Sequence, residues 1–442
     1  MSSSQPTIGS SSHGMVGNLR WWIAGLLAIA TALNYLDRQS FPVVVNEVRK
    51  EIPISNEQYG TLTSTFLFAY AIMYAGGGRI MDWLGTRVGY AVMIVWWSAA
   101  NCLTGFVSSV FGIGTCRFLL GMGEGGGFPA SGKAVAEWFP VKERALAFGI
   151  FNTGSAVGAV IAPPLIALIV THLGWRPVFF ITGGVGFVWA LIWLKLYRAP
   201  ATNQSLTPEE HASIPYGKSR ASSAPAELAP PPIPWLQLFT YPQVIVLMVA
   251  KFMTDAVWFF FVFWLPKYLG DVRGLNIKEI GSFAWIPFAA AGLGSLLGGW
   301  LSGRLLRRNF SLTAARKIAL GVSAALLPVS LFILAAPLSL AIVFFSIALF
   351  AHQFWSSNVQ TLPADFFPSR VVGSVEGLLG SAGAFGAMSF NYVVGLLVDE
   401  HGYGPAFAIA GVLHPIAFLL ILFAIKTVAP VTLPSSKAAI SP

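Results

Sequence analysis

Charge is what this sequence has least of. Only 10% of its 442 residues are Asp, Glu, Lys or Arg, against about 25% in an ordinary soluble globular chain. That deficit excludes a water-soluble domain of this length, because too few charged groups remain to cover its surface. Cysteine is nearly absent too. Cys102 and Cys116 are the only two, both within or beside predicted helices, which leaves no disulfide framework and no thiolate metal site. Histidine is sparse, at six, and no Ser-His-Asp set, metal-ligand cluster or phosphate-binding loop stands at catalytic spacing, so an enzyme is not expected. The first twenty residues are rich in Ser and lack an apolar core segment, so no cleavable signal peptide is expected.

What is abundant is apolar sequence. Hydrophobic residues make up 55% of the chain and its mean hydropathy is +0.69. A helix needs about 20 apolar residues to cross the hydrocarbon layer, and twelve such stretches are expected at 21–46, 57–79, 88–109, 111–137, 145–171, 175–197, 240–269, 277–303, 314–336, 338–362, 371–399 and 404–428. The expected fold class is an all-α membrane protein of twelve transmembrane helices in two six-helix halves.

The 27 Lys and Arg outnumber the 18 Asp and Glu, which would suit an anionic partner such as nucleic acid. Their positions argue for orientation instead. With the amino terminus in the cytoplasm and sides alternating, 18 cations fall on inner segments, 6 on outer loops and 3, Arg38, Arg117 and Lys251, inside the membrane. The excess of inner cations places both termini in the cytoplasm. The expected surroundings are thus a bilayer, with no nucleic acid and a functional monomer in a cell membrane.

The one long polar interruption, residues 199–234, carries eight prolines and reads as a cytoplasmic linker. It divides the chain into a cytoplasmic tail (1–20), an N-terminal half (21–198), a C-terminal half (235–428) and a second tail (429–442). Duplication shows in GGGRIMDWLGTR (76–87) and GGWLSGRLLRR (298–308), each after the second helix of its half. Both run from small residues through a short turn to cations, with Gly303 where the first copy has Asp82.

Two halves in parallel resemble the major facilitator superfamily, whose members place a midplane site between repeats that rock for alternating access. Gly78, Asp82, Gly85 and Arg87 match that superfamily's G-x-x-x-D-[RK]-x-G-[RK] loop, while Trp83 replaces a cation. Asp82 and Arg87 are accordingly expected to gate, locking helices at the inner face without touching substrate.

Ionisable groups inside a membrane are costly and mark a pathway or site. The fourth span, GIGTCRFLLGMGEGGGFPASGKAVAEW, places Arg117 and Glu124 seven residues apart, within about 20° on one helical face. Its glycines at 121, 123, 125, 126 and 127 let a neighbouring backbone approach closely, so the carboxylate there is sensitive to its surroundings. In the first span, TALNYLDRQS places Asp37 beside Arg38. If these two pair while charged, protonating Asp37 frees the guanidinium to fork onto a carboxylate anion. Lys251 and Asp255, at i and i+4, are expected to bridge along their own helix as a gating pair.

Further polar side chains are expensive in lipid unless they face a wet cavity or a partner: Asn152, Ser155, His352, Gln353, Trp355, Asn358, Gln360 and Asn391. Trp355 lies about one turn beyond His352 and can share its face. Trp258 reads as packing, and His414 as satisfied locally.

N-Y-x-D-R in the first helix together with R-x-x-x-x-x-x-E-[GA] in the fourth resembles the anion:cation symporter family, and residues 251–274 and 352–377 resemble its hexuronate transporters. That resemblance implies proton coupling with no cofactor, and a small sugar-acid anion as substrate. It further implies that Asp37 and Glu124 carry protons, that Arg117 tunes Glu124 and that Arg38 contacts the substrate carboxylate. Tyr35 and Tyr70 are implied to contact the sugar acid, with His352 and Trp355 placed in the site by the same likeness. Glu376 departs from the family pattern, which has an apolar or amide residue there; it would bind substrate hydroxyls, take a further proton or sit in water at the inner membrane edge. An aldonate or aldarate substrate, anion exchange without protons, and a transporter-like sensor are the alternatives.

Overall fold

In a computed structural model of the protein, residues 19–139, 141–200 and 235–431 are described. Nearly all of the predicted linker and most of both tails lie outside the described residues, as does the side chain of Asp82. The N-terminal half comprises α1 (Leu19–Val48), α2 (Asn56–Thr104), α3 (Val110–Glu124), α4 (Gly127–Trp138), α5 (Val141–Leu173) and α6 (Arg176–Leu196). After a short α7 (Trp235–Leu238), the C-terminal half holds α8 (Pro242–Asp271), α9 (Ile277–Phe283), α10 (Trp285–Arg307) and α11 (Leu312–Leu326). It is completed by α12 (Leu338–Val359), α13 (Leu362–Phe366), α14 (Ser369–His401) and α15 (Gly404–Ala424). No strand occurs among the described residues.

Nine helical stretches among the described residues are long and apolar enough to cross a bilayer. The second to fourth expected spans fall to α2 and to the α3–α4 pair. α2 is two arms that meet at Gly85, whose φ of 74° is left-handed and open to glycine at little cost. Its first arm passes Gly121 and Gly125 through Phe66 and Tyr70, whereas the second passes Gly123 and Gly126 through Trp97 and then Met93. One arm therefore ascends beside α3 and the other descends, which gives the expected hairpin and agrees with a twelve-pass layout.

Three expected spans are broken; the eighth, 277–303, is interrupted at Ala284 between α9 and α10. The fourth is interrupted between Glu124 and Gly127, where the chain has no side chain to hold a continuous helix against its neighbours. The ninth tightens to a 3₁₀ turn at Leu327–Phe332, where Pro328 lacks the N–H an α-helical bond needs.

Apolar groups face outward as well as inward. Leu168, Val188, Leu191, Leu296, Trp300 and Phe423 are all more than half exposed, as suits a surface solvated by lipid. The polar groups of α1 behave oppositely: Asp37, Arg38, Gln39 and Ser40 are all buried, so consecutive positions around that helix are covered by protein.

Candidate functional site

α1 presents Asp37 and Arg38 about 100° apart around its axis, and the two side chains leave in different directions. Asp37 Oδ1 accepts from Asn101 Nδ2 at 2.7 Å, and the same amide nitrogen is 2.7 Å from Thr182 Oγ1 on α6. Arg38 crosses to α3, where its Nε donates to Glu124 Oε2 at 3.0 Å. Its Nη2 donates to Asn34 Oδ1, one turn back on α1, at 2.9 Å. The expected pairing of Arg38 with Asp37 is thus corrected: Glu124 holds the guanidinium and an amide holds Asp37.

Arg117 and Glu124 share one helical stripe as expected and are not bridged to each other: the Arg117 guanidinium lies 5.0 Å from the Phe41 ring centre, and its Nε and Nη2 have no hydrogen-bond partner among the described residues. Asp37 Oδ2 and Glu124 Oε1 are likewise without one, although all three residues are at most 2% exposed. Buried ionisable atoms with unspent bonding capacity are rare where a pair is purely structural.

Around Arg38 the walls are aromatic. Its guanidinium carbon lies 4.7 Å from the Tyr35 ring centre, 4.9 Å from Tyr70, 5.5 Å from Phe66 and 5.6 Å from Phe259, the last belonging to the C-terminal half. The faces of these rings stabilise the cation where water is scarce. A cavity of about 30 Å³ opens beside it, bordered by Thr31, Asn34, Tyr35, Arg38, Tyr70 and Glu124. That is the room of about one water molecule, far less than the roughly 300 Å³ or more of a small-molecule site. A wider, open depression at the rim, around Arg49, Ser55 and Gln58, has Arg49 as its one charged wall, and that arginine already faces Asp271 at 3.5 Å.

The glycines of the fourth span are what bring α2 so near. A Cβ at Gly121 would stand 2.3 Å from the Phe66 carbonyl oxygen, and one at Gly125 would stand 2.6 Å from that of Tyr70. No larger residue fits at either position without displacing the backbone that carries Phe66 and Tyr70.

Other predicted residues gather elsewhere. Asn152 and Ser155 are half-buried on α5, where the Ser155 hydroxyl donates to the Asn152 carbonyl at 2.7 Å, and neither borders the cavity beside Arg38. His352 and Trp355 belong to a second buried cluster in the C-terminal half. His352 Nδ1 is 3.2 Å from His414 Nε2, and the His352 ring stacks on Trp258 at 5.0 Å. Trp355 meets His414 edge-on at 5.4 Å. His414 Nε2 is therefore met across helices, not locally, while its Nδ1 has no hydrogen-bond partner among the described residues. Lys251 Nζ bridges Asp255 Oδ2 at 2.7 Å along α8, as its spacing predicts. Arg87 donates to the Leu194 carbonyl at 3.1 Å through Nε, tying α2 to α6. Glu376 is partly exposed on α14.

Sequence reasoning passed over Asn34, Asn101 and Thr182. Each is a polar group in an apolar span and carried the same signal that singled out Asn152. Among the described residues no group of three or more His, Cys, Asp or Glu is placed to hold a metal ion.

The family model described as Major Facilitator Superfamily matches residues 27–390. The chain is 34% identical to the hexuronate transporter of Escherichia coli (strain K12) over 413 residues, 92% of this chain and 94% of that one. It is also 34% identical to the galacturonate transporter of Dickeya chrysanthemi over 317 residues, 71% of this chain and 90% of that one. In fold it is similar to the crystal structure of a bacterial homologue of the human lysosomal transporter Spinster in an inward-facing, occupied conformation. The TM-score is 0.72 at 20% identity, over 95% of this chain and 98% of that one. A multi-pass helical bundle with a buried ionic site, matched along nearly its whole length, belongs to the major facilitator superfamily of membrane transporters.

Proposed function

We propose that the protein is a proton-coupled symporter that imports sugar-acid anions, foremost hexuronates, across a bacterial inner membrane by alternating access, with both termini cytoplasmic. The observation that carries this reading is the buried Arg38–Glu124 bridge at 3.0 Å. Arg38 is the one group beside the cavity with the fork geometry that a carboxylate fits, and Glu124 occupies it. A substrate carboxylate and Glu124 therefore compete for one guanidinium. Protonating Glu124 weakens its hold, the anion takes its place, and proton and substrate bind together; this reciprocal linkage is what symport requires. Tyr35 and Tyr70 offer rings and hydroxyls to the sugar on either side.

Asp37 serves as the second proton carrier in this scheme. Its partner Asn101 is neutral, so protonation changes its charge without unpairing a cation. Two protons with one anion cross as a net charge of +1. Arg117, with two donors unused among the described residues, adds positive potential near both acids and tunes them. The hexuronate and galacturonate transporters among the relatives support the substrate class. A cavity of about 30 Å³ is too small for a hexuronate, so loading needs the halves to part.

Uptake of labelled glucuronate and galacturonate by proteoliposomes, with and without an imposed pH gradient, tests the reading. Gradient-driven accumulation is expected. Exchange of internal for external anion that ignores the gradient would replace symport with antiport.

A further inference from the structure

The wall facing Arg38 from the C-terminal half carries further intramembrane charge. On α8, Lys251 is bridged to Asp255 with side chains only 12% and 16% exposed. On α14, Glu376, Gly380 and Gly383 are spaced by four and three residues, which keeps them within about 60° on one stripe. Its two glycines fix where that stripe points. A Cβ at Gly383 would stand 2.1 Å from Asp255 Oδ2, and one at Gly380 would stand 2.4 Å from the Tyr74 ring. The Tyr74 ring is 5.8 Å from that of Tyr70, which lies 4.9 Å from the Arg38 guanidinium. Glu376 thus belongs to a stripe aimed at the Lys251–Asp255 bridge and at the aromatic path to Arg38.

The charges on this wall do not cancel. Lys251 supplies one cation against the two carboxyl groups of Asp255 and Glu376, and its ammonium is committed to Asp255. Glu376 is the surplus anion. We propose that Glu376 sets substrate selectivity, accepting hydrogen bonds from the hydroxyls at the far end of a sugar acid and repelling a second carboxylate there. The transporter then takes hexuronates and rejects aldarates, their dicarboxylate counterparts. This inference rests on Arg38 being the dock for the first carboxylate. Specificity of this kind is built from a repulsive element as much as from an attractive one.

The test is competition against labelled glucuronate uptake by the purified full-length protein in proteoliposomes, with unlabelled glucuronate and glucarate as competitors. In the unaltered protein glucarate should compete at least about tenfold more weakly, the scale expected for like charges brought together in a poorly hydrated site. Glu376→Gln should narrow that gap about tenfold, and Glu376→Asp should preserve it. Asp255→Asn provides an independent arm, since it frees Lys251 to meet a second carboxylate and should narrow the gap without touching Glu376. It also carries the test should Glu376→Gln fail to insert. Equal competition by the two acids in the unaltered protein overturns the inference, as does an unchanged gap in Glu376→Gln or, in its place, in Asp255→Asn. Absence of glucuronate and galacturonate uptake by the unaltered protein would overturn the reading of Arg38 as well, and it shows before any variant is compared.

Discussion

The two halves of the bundle spend their buried charge differently. In the N-terminal half, Arg38 reaches from α1 to Glu124 on α3, and Asp37 is held by Asn101 on α2, so each charge is answered by another helix. In the C-terminal half, Lys251 and Asp255, the pair on the side facing Arg38, answer one another along α8, while the bridge between helices, Arg316 on α11 with Asp365 on α13, lies away from Arg38 at the end of the bundle. A bond between helices changes when the helices move or a ligand intrudes; a bond within one helix travels with it. Under the function proposed above, coupling between ligand, proton and movement falls to the N-terminal half, and shape and selectivity to the other.

The largest expected effect comes from removing the acid that answers Arg38. Glu124→Gln should abolish gradient-driven accumulation yet retain counterflow, because the amide imitates the protonated acid but has no proton to release. Full accumulation by this variant would break the comparison at its centre. Next is Arg38→Lys, which keeps the charge but not the fork and should weaken binding about tenfold or more, measured as the half-saturating concentration in counterflow. Unchanged affinity would move the carboxylate dock to Arg117 or Lys251.

A subtler measurement concerns Asp37. At equal internal and external pH, an inside-negative potential alone should drive uptake of a monocarboxylate sugar acid, since each net charge gains about 2.3 kcal/mol per 100 mV. Asp37→Asn should lose that response while still binding substrate. Indifference to potential in the unaltered protein would reduce the stoichiometry to one proton per anion and leave Asp37 a structural partner of Asn101.

The smallest effect sharpens the other side of the comparison. Replacing Lys251 by Met and Asp255 by Asn together should alter hexuronate uptake less than about threefold, since removing both charges of a buried pair leaves no unpaired ion behind. Loss of uptake in that double variant would show that α8 also takes part in coupling.

How much of this was legible beforehand depended on distance along the chain. Runs of apolar residues revealed twelve passes, because bilayer thickness fixes their length, and even the hairpin at Gly85 lay between two expected spans. The break after Glu124 was not legible, since glycines that permit close packing and glycines that interrupt a helix look alike in sequence. The same limit governed the site. Asp37, Arg38, Arg117 and Glu124 stood out as charges in apolar surroundings, but who pairs with whom is decided by helices distant in sequence. Neighbours on a helix diverge, so Asp37 and Arg38 part. Residues two turns apart share a face, yet the reach of an arginine carried Arg117 to Phe41.

One further feature lies at the rim where α2 begins. The first amides of α2 are answered from the opposite half: Asp399 accepts from the backbone N–H of Asn56 at 3.3 Å and from that of Glu57 at 2.6 Å. Nearby, the Tyr59 hydroxyl donates to the Phe263 carbonyl at 2.6 Å. Among the described residues, the ion pairs at the other end of the bundle stay within one half, as in Arg20 with Glu143 and Arg316 with Asp365. Helix starts always leave such amides needing acceptors, and at an exposed rim water can replace the carboxylate when the halves separate. Those two protons are therefore a clock: their exchange with deuterated solvent is slow only while the rim is shut, so the rate at which Asn56 and Glu57 take up deuterium reads how often this end of the transporter opens.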